Sequence, residues 1–135
     1  MNQVTKQDIF DSGLALRREV LGDAYVDRAF SIQDEFNEAV QDYVTTHAWG
    51  ATWARRSEDG ELALPKKTRS IMNLAMLAAL GREAELRLHT RGAINNGCTK
   101  EEIAEVFLQA AVYAGAPSAV SAFKTAKEVF DEMGI

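Results

Sequence analysis

Apolar residues recur at helical spacing along almost the whole chain, and this pattern constrains the fold more than any other feature. Only two prolines interrupt the 135 residues, and no run alternates in the manner of a strand. The i, i+3, i+4, i+7, i+8 spacing of an amphipathic helix is shown by Phe36, Ala39, Val40, Tyr43 and Val44. The sequence therefore predicts an all-α fold of six or seven helices in a single domain spanning residues 1–135.

Capping residues and glycines predict where these helices begin and end. Side-chain oxygens that can cap a helix N-terminus are supplied by Thr5, Ser31 and Thr99, each followed three residues later by an acidic residue. We expect the last helix to begin at Ser118, directly after Pro117. Glycines that can end a helix stand at Gly22, Gly81, Gly97 and Gly134.

Two segments between these boundaries have a distinct character. The run from Ile71 to Leu80 is apolar nearly all round, which is typical of a central buried helix. The stretch 55–61 is polar and contains a glycine, so it is predicted to be a loop.

Charge and cysteine content exclude several classes of protein. The net charge of −5 argues against nucleic-acid binding, because neutralising phosphates requires a basic face. The single cysteine, Cys98, cannot form an internal disulfide. The N-terminal segment is polar, and the 71–80 run is too short to span a bilayer. We expect a soluble, cytoplasmic protein with no membrane or nucleic-acid partner.

Three residues on the segment after Gly81 have the spacing of a catalytic helix face. Arg82, Glu85 and His89 are separated by three and four residues, which places them along one side of a helix. A histidine can transfer a proton near neutral pH, and a carboxylate one turn away can orient it or raise its pKa. The same spacing is also typical of a salt-bridged, solvated helix face, and on spacing alone that alternative is favoured.

Other residues have both a functional and a structural interpretation. Arg69 could bind a carboxylate through two hydrogen bonds, or it could be an ordinary surface arginine. Trp49 and Trp53 could wall a pocket, although tryptophans are more often core residues. A lowered pKa is conceivable for Cys98, which precedes a predicted helix N-terminus, but a buried and inert thiol is the better interpretation.

The sequence lacks the patterns of the common cofactor sites. There is no Cys-x-x-Cys pair, no set of histidines, cysteines and carboxylates at zinc-ligand spacing, and no glycine-rich phosphate loop. If the chain is an enzyme, we expect it to work with side chains alone, without a metal or an organic cofactor.

Longer motifs resemble the 4-carboxymuconolactone decarboxylase family from about residue 12 to residue 130. The matching segments keep the family's order: Arg17-Arg18-Glu19-Val20-Leu21-Gly22-Asp23, Ala48-Trp49-Gly50, Thr68-Arg69-Ser70, Leu74 to Glu83, Glu85-Leu86-Arg87, His89, Asn95-Asn96-Gly97, Thr99, Glu101-Glu102-Ile103, Gln109, Tyr113, Gly115, Pro117 and Ala122-Phe123. This order makes the resemblance far more specific than a short motif.

The wider superfamily includes alkylhydroperoxidase D, an all-helical and oligomeric enzyme. Its redox site consists of a Cys-x-x-Cys pair and a following histidine. In the register of this chain, the two cysteines fall at Arg82 and Glu85, and the histidine falls at His89. The resemblance therefore implies that a cation, Arg82, and a carboxylate, Glu85, replace the two thiols on the same helix face.

The resemblance implies cofactor-free decarboxylation of 4-carboxymuconolactone in aromatic-acid catabolism by a homo-oligomer such as a hexamer. The substrate would be a lactone dicarboxylate. The implied catalytic residues are His89, Glu85 and Arg82, and the implied substrate-binding residues are Arg69, Trp49, His47 and Arg18.

Two departures from the family pattern and two other functions bear on this interpretation. His47 stands where the family usually has a tyrosine, and the loop from Ala54 to Lys67 is longer than usual. One alternative is a peroxidase-like or other reaction on the same scaffold, against which the missing cysteine pair argues. The other is a non-catalytic helical oligomer, in which the helix face around His89 would point to bulk water.

Overall fold

The computed structural model describes residues 3–135 and consists of helices joined by short connections. Within these residues the only pairing of the β type is one antiparallel bridge between Arg56 and Leu62, inside the predicted loop region. The helices are α1 (Lys6–Leu21), α2 (Asp23–Ser31), α3 (Glu38–Tyr43), a π-helix (Val44–Trp53), α4 (Lys66–Leu80), α5 (Glu83–Asn95), α6 (Lys100–Ala114) and α7 (Ala116–Met133). The prediction of an all-α fold with seven α-helices is confirmed. No helix in residues 3–135 is both long and apolar enough to cross a membrane.

The predicted capping boxes form at two helix starts. The Thr5 hydroxyl accepts from the backbone N–H of Asp8 at 3.1 Å, and the Asp8 carboxylate accepts from the Thr5 N–H at 2.8 Å. Thr99 and Glu102 make the same pair of hydrogen bonds at 3.1 and 2.9 Å. Each box satisfies backbone donors that have no partner inside the helix, which explains why α1 and α6 begin where they do.

The prediction that Ser31 begins a helix is wrong. Ser31 is the last residue of α2, and its hydroxyl donates to the carbonyl of Arg28. The Asp34 carboxylate accepts from the backbone N–H groups of Phe36 and Asn37, which holds these residues in a turn and delays the next helix to Glu38.

The apolar stripe predicted from residue 36 onward stays at the surface. Phe36 is 94% exposed, and Val40 and Tyr43 are also exposed. At the other end of the chain, α7 begins at Ala116 rather than Ser118, because Pro117 fits within the first turn of a helix.

The chain divides into two compact units, Met1–Lys66 and Lys67–Ile135. In the first unit α1 packs along the π-helix, and glycines make the close approach possible. A Cβ atom at Gly13 would lie under 3.0 Å from the Thr45 carbonyl oxygen and the Gly50 nitrogen. A Cβ atom at Gly50 would meet the backbone of Ile9 in the same way. Only glycine therefore fits at these two positions.

In the second unit α5 and α6 both pack against α7, and α4 contributes part of the core. The prediction that the 71–80 run is buried all round is only partly right. Leu74 and Ala78 face the core, whereas Met72, Met76 and Leu80 are exposed. One chain covers only one stripe of α4, so the apolar residues on its other side remain uncovered.

We expect Gly13→Ala to destabilise the protein by at least about 2 kcal/mol, because an overpacked site between two backbones cannot relax by side-chain movement. The matched control is Ser12→Ala, at an exposed neighbouring position of α1, which should change the free energy of unfolding by less than about 0.5 kcal/mol. Urea unfolding of both variants measures the difference. Equal stabilities would show that the helices are not in close contact at Gly13.

Candidate functional site

Five polar side chains lie on α4, on α5 and at the C-terminal cap of α5, and contacts between the two helices join two pairs of them. We call them the α4–α5 polar cluster: Arg69, Ser70, Asn73, His89 and Asn96. Ser70 is fully buried and accepts a 2.9 Å hydrogen bond from the Asn96 amide. The Asn73 amide nitrogen lies 3.5 Å from His89 Nδ1. Arg69 is only 9% exposed.

The spacing of α4 explains how it presents these groups. Leu74 and Ala78 face the core, and Arg69 and Asn73, four residues apart, lie along an adjacent side of the same helix. A buried cation, an amide and an imidazole therefore occur beside an apolar core. This is a combination in which polar groups act strongly because water is excluded.

His89 is neutral at physiological pH. Burial lowers the pKa of its imidazole to about 4, and the negative charge of Glu85 opposes this only in part. Glu85 raises the pKa of His89 as expected, but the cost of burying a cation is larger than the attraction of an exposed carboxylate, so the net shift of the pKa is downward.

The structure divides the three residues of the predicted catalytic face. Glu85 is exposed and acts on His89 through its charge. Arg82 precedes the first turn of α5, where it lines a cavity of about 290 Å³ together with residues of α4 and α7. The salt bridges of α5 are formed instead by Arg87 and Arg91 with glutamates of α7. The alternative of a salt-bridged face therefore describes a different side of this helix.

The substrate-binding residues predicted in the first unit have other surroundings. Arg18 forms ion pairs with Asp23 at 3.1 Å and Asp27 at 2.8 Å. Trp49 is buried and stacks on Trp53 with ring centroids 4.8 Å apart, which agrees with a core role. His47 is exposed, and its ring lies 4.7 Å from that of Tyr43. The roles implied for these residues by the resemblance stay predictions.

Sequence reasoning overlooked two polar residues, Arg17 and Asn73. Arg17, not Arg18, is buried, and it donates to the side-chain amide oxygen of Gln41 and to the Thr45 hydroxyl, both at 3.1 Å. The spacing of Arg17 from Gly13, four residues earlier on the buried side of α1, could have identified it. Asn73 could have been found as the residue one turn after Arg69.

The remaining candidates for chemistry are a thiol and a metal site. Cys98 is buried, and burial raises the pKa of its thiol, so the possibility of a lowered pKa is wrong. In residues 3–135 no three histidine, cysteine or carboxylate side chains are placed so that they could hold a metal ion.

Comparison with known proteins decides the family. The model of the carboxymuconolactone decarboxylase family matches residues 38–128, which is more than half of the chain and includes α4, α5 and the whole polar cluster. The chain belongs to the carboxymuconolactone decarboxylase family.

Relatives of this family member extend the similarity beyond the matched domain. It is 42% identical to a 4-carboxymuconolactone decarboxylase of Acinetobacter baylyi over 93% of this chain and 90% of the relative. It is 38% identical to the nitrosuccinic acid decarboxylase npaB of Metarhizium robertsii over 98% of this chain and 88% of the relative. A 4-carboxymuconolactone decarboxylase of Pseudomonas putida is 46% identical over 30% of this chain and 85% of the relative.

The burial of His89 should make this decarboxylase-family protein sensitive to acid. The unfolded chain binds a proton at His89 near pH 6.5, whereas the folded chain does so only near pH 4. Stability is therefore complete above pH 6.5 and is lost as the pH falls towards 4, by at most about 3 kcal/mol. We expect His89→Gln to reduce this loss, as measured by urea unfolding between pH 7 and pH 4.

The control is His47→Gln, at the only other histidine, which is exposed. It should leave the acid sensitivity as it is in the wild type. An unchanged pH dependence in His89→Gln would mean that His89 is solvated and not buried.

Proposed function

We propose that this chain decarboxylates 4-carboxymuconolactone to the β-ketoadipate enol-lactone and CO₂ without a cofactor. The observation that carries the proposal is the near full-length similarity to the Acinetobacter baylyi protein named for that reaction. The α4–α5 polar cluster supports it, because it holds the cation and the proton carrier that such a reaction needs.

The substrate itself can accept the electron pair that decarboxylation releases. It is an unsaturated γ-lactone with a carboxylate on the ring carbon next to the ring oxygen. When the bond to this carboxylate breaks, its electron pair delocalises through the ring alkene onto the lactone carbonyl oxygen, giving a dienolate. One proton must then be added to carbon. The protein has to bind the carboxylates, stabilise the enolate oxygen and deliver that proton.

Arg69 is suited to binding a substrate carboxylate. Its guanidinium is largely buried, and charge-assisted hydrogen bonds from a guanidinium to a carboxylate are strong when water is excluded. The Asn73 amide, one turn further along α4, is suited to donating a hydrogen bond to the oxygen on which the dienolate charge develops. These assignments use residues of the second unit alone.

His89 is suited to carrying the proton. In the free protein burial keeps it neutral, with a pKa of about 4. A bound dicarboxylate brings negative charge next to the ring and favours the imidazolium, as Glu85 already does to a lesser extent. The imidazolium can protonate the dienolate carbon once CO₂ has left. His89 is then neutral again, and solvent supplies the next proton, so each turnover consumes one proton.

We expect His89→Ala and Glu85→Gln to lower kcat on 4-carboxymuconolactone while the fold stays intact. Proton transfer by a positioned side chain contributes about 10²–10⁴-fold, so the His89 variant should lose at least about a hundredfold. Glu85→Gln removes only the charge that favours the imidazolium, so its loss should be smaller. Arg69→Ala should raise KM, because a substrate carboxylate loses its cation. Steady-state kinetics with circular dichroism as the folding check measures all three.

The matched control is Cys98→Ala, a buried position in the same unit that has no step in the reaction. Its turnover should equal that of the wild type. Wild-type kcat in both His89→Ala and Glu85→Gln would show that the cluster is structural and that the site lies elsewhere.

We also propose that the chain forms a homo-oligomer, such as a hexamer, in an alkylhydroperoxidase D-like arrangement and works in the cytoplasm. Large apolar side chains that one chain leaves uncovered support the oligomer: Val112 is 80% and Tyr113 is 82% exposed on α6, and Met72, Met76 and Leu80 are exposed on α4. Apolar areas of this kind commonly mark contacts between proteins.

Light scattering at micromolar concentration should give a mass that is a multiple of the 14.9 kDa chain. We expect the double variant Leu108→Lys and Val112→Lys to lower this mass, because it places charges in an apolar contact. Glu101→Lys, at an exposed polar position of the same helix, should leave it unchanged. A monomeric mass for the wild type would contradict the proposal.

A further inference from the structure

A cavity at the start of α5 contains polar residues that the proposed reaction does not use. It measures about 290 Å³, and its walls come from α4, α5 and α7. Leu77, Ala78, Leu86 and Ala122 give it an apolar floor. Its polar groups are the guanidinium of Arg82, the carboxylate of Glu83 and the hydroxyls of Ser118, Ser121 and Thr125. We call it the Arg82 cavity.

Thr125 is the residue that points to a ligand. It is 3% exposed and lines the cavity, and within residues 3–135 its hydroxyl forms no hydrogen bond. The other fully buried helix threonine of this unit, Thr90, donates to the Leu86 carbonyl at 2.7 Å. The Thr125 hydroxyl is thus open to the cavity and is not engaged by the backbone, so it is available to hydrogen-bond a molecule bound there.

Two helix N-termini give the cavity a positive character. Arg82 caps α5 and Gly115 caps α7, and neither start has a side-chain cap that occupies the free backbone N–H groups. The helix dipoles favour negative charge at these ends. Arg82 adds a full positive charge, and within residues 3–135 it forms no ion pair.

Glu83 is the one group that opposes an anion in the cavity. It is exposed at the first position of α5, so water screens its charge. The cavity lies at the small end of the range of about 300–1,000 Å³ for ligand pockets, which limits the ligand to a compact molecule. Its floor is apolar, which favours a carbon skeleton over a bare inorganic anion.

We propose that the Arg82 cavity binds a small organic carboxylate, with the carboxylate on Arg82 and the Thr125 hydroxyl and the carbon skeleton against Leu77 and Leu86. This goes beyond the proposed function, because the binding does not depend on any reaction. The carboxylate could come from the second acid group of a bound lactone or from a separate small acid. The chemistry that recognises it is the same in both cases.

The test is a calorimetric or ligand-observed NMR titration of the full-length protein with benzoate and with its neutral isostere benzamide. We expect benzoate to bind and benzamide to bind at least about tenfold more weakly, because only benzoate makes charge-assisted hydrogen bonds. Thr125→Val, which keeps the volume of the side chain, should weaken the binding of benzoate about tenfold. Arg82→Gln should weaken it at least as much, and Glu83→Gln should strengthen it about two- to threefold.

Thr90→Val is the matched control, because its hydroxyl is buried on α5 but does not line the cavity. It should bind benzoate like the wild type. Equal binding of benzoate and benzamide, no binding of either, or wild-type benzoate affinity in both Thr125→Val and Arg82→Gln would overturn the proposal. If Thr125→Val does not fold, the Arg82→Gln and Glu83→Gln results decide.

A competition experiment identifies the source of the carboxylate. If benzoate raises KM for 4-carboxymuconolactone without changing kcat, the cavity binds the second acid group of the substrate. If benzoate and the lactone bind at the same time without competing, the cavity binds a separate small acid. Benzoate binding is measured without turnover, so a failure of the decarboxylase proposal would leave this result standing.

Discussion

The burial of polar groups between α4 and α5 is the constraint on which the rest of the account depends. A polar group removed from water costs free energy unless it is hydrogen-bonded or neutral. Asn96 satisfies Ser70 by a direct hydrogen bond, and His89 avoids the cost by staying unprotonated. These groups are therefore held in place before a substrate arrives. A preorganised polar site next to an apolar core can stabilise developing charge without reorganising at the moment of reaction.

The same burial explains how a cofactor-free site could protonate His89 only when substrate is bound. An imidazole with a pKa near 4 is an acid too strong to hold its proton at neutral pH. Negative charge brought by a dicarboxylate opposes the cost of burial, so protonation is coupled to substrate binding. In the proposed reaction the buried cation Arg69 would bind the acid group, and exposed Glu85, one turn from His89 on α5, would contribute its negative charge. Binding and proton supply are thus linked.

Much of the fold could be predicted from local chemistry. Capping boxes at Thr5 and Thr99 act over three residues, so they can be recognised in the sequence. Gly22 and Gly115 end helices with positive φ values of 89° and 105°. The ten-residue π-helix could not be foreseen, because its stability comes from packing against α1 through Gly13 and Gly50. The exposed stripe at Phe36 shows the same limit, since a periodic pattern identifies an apolar face but not what covers it.

The candidate site was predictable in part. Spacing correctly indicated that Glu85 and His89 interact. Arg82 precedes the first turn of α5, so its side chain does not follow the helical spacing, and it lines a cavity to which neither Glu85 nor His89 contributes. The spacing predicted the effect of Glu85 on the His89 pKa but not the larger, opposite effect of burial, because burial depends on tertiary packing. Arg18 was chosen over Arg17, one position away, because the motif and not the buried side of α1 guided the choice.

The central claim is that this family member removes CO₂ from an unsaturated lactone acid. Its most direct test is to incubate the wild-type protein with 4-carboxymuconolactone and to follow CO₂ release and enol-lactone formation, with nitrosuccinic acid and with hydrogen peroxide plus a dithiol as parallel substrates. We expect equal amounts of CO₂ and enol-lactone from the lactone, slower or no CO₂ release from nitrosuccinic acid, and no consumption of peroxide. No turnover of the lactone beside turnover of either other substrate would contradict it.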